Sequence, residues 1–447
     1  MPSYRRRRRR DVPPVELDVT GTLTEMVGAN GLSPDDLRAM SAALDPARRV
    51  VAEARPGFLD FAQRRQEAQD VQALTVSLLG RYDTVVVFGA GASAVGARLL
   101  GTGRPSGRIR RPRLVVADSI DPTVTDELLR RLDLRRTLFN VVSKSGDAAE
   151  TMAQFIIVRD RLLRELGAVD YREHVVVTTD PERGSLRQIV NDEGFRALPI
   201  PADVRGAFGL LTPVGLFPAA MTGVDVDELL DGAAAMAERC EAATTAEHDP
   251  AALLAGILWS LTTRRQARGL AVVPYSATLG GLAEWASQLW TGSIGTIRHT
   301  ELVRHYDGGG FSGRVLLLLR AHAYATEITV PVAYQDLADV GYLGGHTLAE
   351  VLHAEAEAAA FLLAHGGHPT VQLSVPQLSA AGIGQLVLLF QRAAAVLAAL
   401  EGRPPGDIAD ADDARRTLGS LLGRGGTEIE AAALAAWRAR KDSRYIV

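Results

Sequence analysis

Residues 84–100 read TVVVFGAGASAVGARLL: five strand formers, a glycine-rich turn, then an amphipathic continuation. Apolar residues packed into a short run and ending in glycine predict a strand, a tight turn and a helix. The same alternation continues outward from it. Short apolar runs stand at 114–117 (LVVA), 137–142 (TLFNVV), 174–178 (HVVVT) and 197–200 (ALPI), separated by amphipathic stretches at 123–132, 148–166 and 183–193. Strand and helix in alternation predict a parallel sheet covered on both faces. A second, poorer alternation places strands at 270–274, 314–320, 327–332 and 370–375, with helices at 346–365 and 378–400. The fold class is α/β: two flavodoxin-like parallel-sheet lobes with helical N- and C-terminal extensions. The expected divisions are a disordered arginine-rich tail (1–15), an N-terminal helical segment (16–80, helical over 35–72), and a first α/β domain (81–225). A helical spacer (226–266), a second α/β domain (267–400) and a C-terminal helical tail (401–447) complete the chain.

Composition narrows the function classes. The 447 residues are 47% hydrophobic and 23% charged, which excludes a wholly disordered chain. No apolar run is expected to reach the roughly 18 residues that cross a bilayer, so no membrane partner is predicted. Cys240 is the single cysteine, so no intramolecular disulfide forms, and a reducing cytoplasm fits. Net charge is −4, and −10 without the consecutive arginines Arg5 to Arg10. An acidic body is unsuited to nucleic acid, which leaves that arginine run as the only stretch able to clip a polyanion.

Two strand ends carry anion chemistry. After strand 84–88 comes Gly89-Ala90-Gly91-Ala92-Ser93, where glycine lets the backbone approach an anion at a helix start and Ser93 adds a hydroxyl. Read as G-x-G-x-x-A it is also a dinucleotide loop, with Asp118, 29 residues after Gly89, as ribose binder. Strand 137–142 ends in Ser143-Lys144-Ser145-Gly146 before another helix. Two hydroxyls, a lysine and a helix start at a second strand end suit a phosphorylated small molecule better than a dinucleotide.

These residues resemble the glucose-6-phosphate isomerase family, of the sugar isomerase (SIS) fold, and specifically the isomerase half found in tandem with transaldolase. The resemblance rests on GAGASAVG (89–96), TLFNVVSKSGDAAETM (137–152), VVVTTDPERGSLR (175–187), ADVRGAFGLLTPVGLFPAAMTG (202–223), LAEWASQLWTGSIG (282–295) and GGHPTVQL (366–373), in that order. It implies that Gly91, Ser93, Ser143, Lys144 and Ser145 hold a sugar phosphate, glucose 6-phosphate or fructose 6-phosphate, and that Gln288 lines the site. It implies no cofactor and no metal. It also implies a homodimer, or a hetero-oligomer in which a partner chain completes the site.

The catalytic positions depart from the family pattern. Where the family carries an arginine to steady the enediolate stands Ala207; its base glutamate is Gly292, its following lysine Thr296, and the C-terminal D-Q-P…K segment reads PPGDIADADDAR at 404–415. Aldose–ketose isomerisation moves a proton between adjacent carbons, and needs a carboxylate base and a cation for the developing oxyanion. Glu284 and Glu301 flank the gap as substitute bases, and Arg205 as a substitute cation. Three functions stay open: a working isomerase with a rearranged base, a catalytically silent phosphosugar sensor or partner subunit, and an NAD(P)-binding reductase.

Other patterns have plainer readings. Glu350, His353 and Glu357 share a helix face as metal ligands would, although exposed charge explains them. His365 and His368 suit a helix C-terminus. Asp307 before three glycines is a turn. The tryptophans 259, 285, 290 and 437 are too scattered to stack single-stranded nucleic acid.

Overall fold

The computed structural model describes residues 12–101, 111–265, 267, 269–293, 295, 299–303, 311, 313–407 and 412–441. Arg5 to Arg10, Thr296 and the 307–310 turn lie outside the described residues. Ordered contacts begin earlier than the expected end of the tail at residue 15. Gln385 accepts from the Val15 amide at 3.2 Å and donates to the Pro13 carbonyl at 2.9 Å, and Val15 is buried.

Strand β1 (Glu16–Asp18) comes first, followed by the helices α1 (Pro34–Ala54) and α2 (Phe61–Leu78). The single helix expected over 35–72 is thus two. The first starts on a Ser33 capping box and ends at Arg55, which adopts the left-handed conformation just before Pro56. The residue before a proline is disfavoured in helical geometry, so the break is local chemistry.

The first sheet then follows the predicted alternation: β2 (Thr84–Phe88), α3 (Ala92–Gly101), β3 (Arg113–Ala117), α4 (Pro122–Arg131), β4 (Thr137–Val142), α5 (Ala149–Asp170), β5 (Val175–Thr179), α6 (Ser185–Glu193) and β6 (Arg196–Pro199). Its order is β3-β2-β4-β5-β6, all parallel. Successive residues point to opposite faces, and both faces are dry. Val86, Phe88, Phe139, Val141, Val175 and Val177 pack with Phe155, Val158 and Leu162 of α5, while Val85, Val87, Leu138 and Val176 join the core on the other side.

After α7 (Pro213–Thr222) the expected spacer helix over 227–266 is two helices, α8 (Val226–Ala242) and α9 (Pro250–Arg264), restarted by Asp249 capping the amides of Ala251 and Ala252 before Pro250. The second sheet consists of β7 (Gly269–Pro274), α10 (Ala277–Ser293), β8 (His299–Leu302), β9 (Arg314–Ala323), α11 (Leu348–His365) and β10 (Thr370–Gln377). Its order is β1-β10-β9-β7-β8, with β1 alone antiparallel, so an N-terminal strand closes an edge of the C-terminal sheet. Neither β1 nor β8 is expected from the apolar pattern.

The strand expected at 327–332 is absent. Only Thr329 bridges, to Thr347, within an exposed excursion between β9 and α11. EITVPV has strand-forming residues, yet Pro331 removes a donor, and the pairing stops at the backbone hydrogen bonds of Ile328 and Val330 with 345–348. The 21-residue α12 (Ala380–Leu400) also departs from expectation: by length and hydropathy it could cross a membrane. It is a core helix, with 83% of its apolar window buried inside the fold. A short hairpin, α13 (Asp412–Leu421) and α14 (Glu428–Ala439), follows.

Candidate active site

In the first sheet β2 leads to β3 on one side, whereas β4, the neighbour of β2 on its other side, leads away to β5. The crevice of an open parallel sheet lies at this reversal, outside the carboxyl ends of the two strands. Both anion loops are there. Phe88 pairs with Val141, which sets Gly89 beside the end of β4. Gly91 has φ +57°, and its carbonyl accepts from the Val95 amide at 3.1 Å to start α3. Ser93 is half-buried in that first turn.

The second loop is built more firmly. Buried Ser143 accepts the Gly146 amide on its hydroxyl oxygen at 3.0 Å, and its own carbonyl accepts from the Thr179 hydroxyl at 2.7 Å. Gly146 turns at φ +72°, where an added Cβ would meet the Leu186 amide at 2.5 Å. Gly184, at φ +94°, lies against the Ser145 carbonyl. The stretch 175–187 therefore shapes the loop from behind, and Ser145 is left exposed at its tip. Next, α5 begins at Ala148 with no side-chain cap, whereas Asp121, Asp225 and Asp249 each cap their helices with a carboxylate. The first-turn amides of α5 are thus free of a side-chain acceptor, in a position suited to an external anion.

The lysine is not at the loop tip. Lys144 donates through Nζ to the carbonyls of Ala202, at 2.6 Å, and Val204, at 2.8 Å. Burial, and then the nearby Arg205 charge, hold its pKa below the ordinary lysine value. Its ammonium therefore fastens the loop to the 201–205 segment, in place of the phosphate contact expected of it. Arg205 is exposed just before the turn carrying Ala207.

Helix α10 of the second sheet lies across this crevice, antiparallel to α3. Gly281 faces Leu99, Glu284 pairs with Arg98 at 3.0 Å, and Gln288 reaches Gly91, where an added Cβ would lie 3.5 Å from its Oε1. Gln288 thus lies beside the first loop. Glu284 is placed elsewhere: Arg98 is seven residues along α3 from Gly91, about 10 Å at 1.5 Å per residue. The guanidinium of Arg98 also binds Asp118 at 2.7 Å, so the carboxylate considered for a ribose is already engaged.

One turn beyond Gln288 stands Gly292, where an added Cβ would meet no atom of the described residues within 4 Å. Ala207 is buried, and its carbonyl accepts from Trp285 Nε1 at 3.2 Å. Gly292 and Ala207, which the resemblance sets at the family's base and arginine positions, carry no acid–base group. Glu301 lies on the edge strand β8 in register with Ala271, and its side chain lies outside the described residues.

The metal pattern on α11 dissolves into local contacts: Glu350 accepts from the Thr347 amide at 2.8 Å as a helix cap, and His353 Nε2 is 2.7 Å from the Ala321 carbonyl. Among the described residues no cluster of three metal-ligating side chains occurs. Two features of the site escape the sequence reading. Thr179 and Gly184 support the second loop, for which the quoted 175–187 motif was the only signal. Arg424, in the turn between α13 and α14, comes within 3.5 Å of Asp147, and no motif marks it.

The comparisons with known proteins follow this geometry. The family model described as phosphoglucose isomerase matches residues 67–307. A glucose-6-phosphate isomerase of Rubrobacter xylanophilus is 34% identical over 89% of this chain and 96% of its own length. One of Carboxydothermus hydrogenoformans is 32% identical over 86% and 87%. Among solved structures, a hypothetical protein of Thermus thermophilus superposes with a TM-score of 0.79 at 29% identity, covering 92% of this chain and 99% of that one. A glucose-6-phosphate isomerase of Chlamydia trachomatis shares the fold, with a TM-score of 0.70 at 18% identity over 85% and 78%. With the motifs in order, the fold shared and the family model matching over more than half its length, this chain belongs to the phosphoglucose isomerase family.

Proposed function

We propose that the chain binds a hexose 6-phosphate, glucose 6-phosphate or fructose 6-phosphate, with the phosphate between the loops at 89–93 and 143–147. The observation that carries this reading is the meeting of those loops at the reversal point of one sheet, beside a helix start without a side-chain cap. The amides of both turns and the hydroxyls of Ser93 and Ser145 serve as donors. The sugar extends toward Gln288 and Gly292.

At that end the isomerase chemistry is missing its parts. A base contributes roughly 10²–10⁴ in rate, and an oxyanion partner about 10²–10³ more. Gly292 and Ala207 supply neither, and Glu284 is occupied by Arg98. The protein therefore acts as a phosphosugar-binding relative, a sensor or a subunit beside an active enzyme, in the cytoplasm. It assembles as a homodimer through the exposed apolar excursion between β9 and α11. The dinucleotide reading has less support, because Arg98 occupies Asp118.

A second reading, turnover with Glu301 as a replacement base, is favoured by the 34% identity over nearly the whole length of a glucose-6-phosphate isomerase. Purified protein, fructose 6-phosphate and a coupled glucose-6-phosphate dehydrogenase assay separate the two, alongside a thermal-shift titration with the same sugar. Stabilisation without turnover is the expected result. Turnover at the rate of an ordinary family enzyme, abolished by Glu301→Gln, would overturn the silent reading.

A further inference from the structure

The lysine of the second loop and the arginine of α3 are both engaged away from the loop tip. Lys144 is bound to two carbonyls, and Arg98 is held by two carboxylates. What stands beside the loop is a carboxylate: Asp147 follows Gly146, and its like charge opposes a phosphate dianion. The Asp147 atom Oδ1 is buried without a hydrogen-bond partner. Opposite it, Arg424 Nη1 is 3.5 Å from Oδ2, longer than the 2.7–2.9 Å of a charge-assisted hydrogen bond. The guanidinium is half-exposed and loosely engaged, with five N–H donors to share.

The element that carries it is poorly anchored. Within the hairpin of α13 and α14 only Thr427 is buried among the described residues. The turn is shaped internally, by the Arg424 amide on the Gly419 carbonyl at 2.8 Å and by the Thr427 hydroxyl on the Arg424 carbonyl at 2.6 Å. A hairpin with so little apolar burial belongs to the low-stability end of a fold, so a charge contact can govern its position.

We propose that Arg424 is the cation of the phosphate subsite: on binding, its guanidinium bridges Asp147 and the phosphate, and the C-terminal hairpin closes over the second loop. This rests on the reading of the two loops as a hexose phosphate cradle. One edge of the guanidinium cancels the Asp147 charge, and the other donates to the phosphate.

The test uses the full chain and three variants, Arg424→Gln, Arg424→Lys and Asp147→Asn/Arg424→Gln. Fructose 6-phosphate, inorganic phosphate and fructose are titrated by calorimetry, and hydrogen exchange of the hairpin is followed with and without fructose 6-phosphate. Arg424→Gln is expected to weaken fructose 6-phosphate and phosphate binding at least tenfold while the unliganded melting temperature stays put, since exposed ion pairs add little stability. Arg424→Lys is expected to fall between, and the double variant to bind more tightly than Arg424→Gln alone. The sugar phosphate is expected to slow exchange at 412–439 in the wild type and not in Arg424→Gln. Wild-type binding with an unchanged Arg424→Gln, or with no protection of the hairpin, would overturn this role while leaving the cradle intact. A wild type that binds neither phosphate compound would overturn the cradle, and this role with it.

Discussion

At the scale of single residues, the sharpest consequence is at Gly292. Among the described residues no atom lies within 4 Å of a Cβ added there, so Gly292→Glu has room to return a carboxylate to the position where the resemblance sets the family's base. Replacing a helical glycine gains about 0.5–1 kcal/mol, and a negative charge at a helix C-terminus costs about 0.3–1 kcal/mol, so the fold is expected to be indifferent. Turnover of fructose 6-phosphate, absent in the wild type, is expected to become detectable in the coupled assay, since a base supplies about a hundredfold or more. No gain in a variant that still binds the sugar would count against the placement of the base. Gly146→Ala tests the loop itself: at φ +72°, with the Leu186 amide 2.5 Å from the added carbon, it is expected to cost about 2 kcal/mol in urea unfolding and to abolish the thermal shift. The serines could be read as phosphate donors because phosphate chemistry needs hydroxyls at strand ends, whereas Gln288, on α10, was suggested only by the resemblance. The partners of Lys144 and Glu284 were not legible. Their charges are captured by carbonyls and a guanidinium from segments distant in the chain, and no local pattern announces such a capture.

At the scale of elements, α2 carries an unusual buried pair. Arg64 and Glu67 are each 1% exposed and 3.0 Å apart, with Asp60, Gln63 and Asp203 near them. Burial pushes the Glu67 carboxyl up to about 7 against the pull of Arg64, and burial also lowers Arg64. A folded pKa above the unfolded one means that the native state holds the proton more tightly. Stability from this group is complete below about pH 4.5 and is lost as pH rises through about 7, roughly 3 kcal/mol in all at 1.36 kcal/mol per unit. Urea unfolding at pH 5, 6.5 and 8 is expected to show that decline, and Glu67→Gln to flatten it even though the variant leaves Arg64 without its carboxylate. An unchanged slope in Glu67→Gln would contradict the assignment. Elements of the first sheet were readable because each strand is an apolar run between helices. Strand β1 was not, since ELD has no apolar run and gains its place only by pairing with β10. EITVPV failed in the other direction: its propensity was right for a strand, but its pairing is confined to 345–348 and joins neither sheet.

At the scale of the whole molecule, the excursion between β9 and α11 exposes Ile328, Val332, Tyr334, Leu337, Val340 and Tyr342. Exposed apolar side chains of this kind are what the proposed homodimer would bury. Sedimentation is expected to give a dimer, and Leu337→Asp with Tyr342→Glu to give a monomer; a monomeric wild type would contradict the assembly. The architecture of two parallel sheets followed from the sequence because alternation is a periodic signal. The placement of α10 over the first sheet's crevice has no periodic signal, since a contact between lobes has no period; it was expected only through the resemblance, which sets the segment around Gln288 over that crevice. The central claim, a cradle for a phosphate monoester between two neighbouring strand ends, is tested most directly by a crystal soaked with fructose 6-phosphate. Its phosphate is expected within hydrogen-bond reach of Ser93, Ser145 and the first-turn amides of α5, and a fully occupied sugar phosphate bound elsewhere, with that crevice empty, would contradict the account.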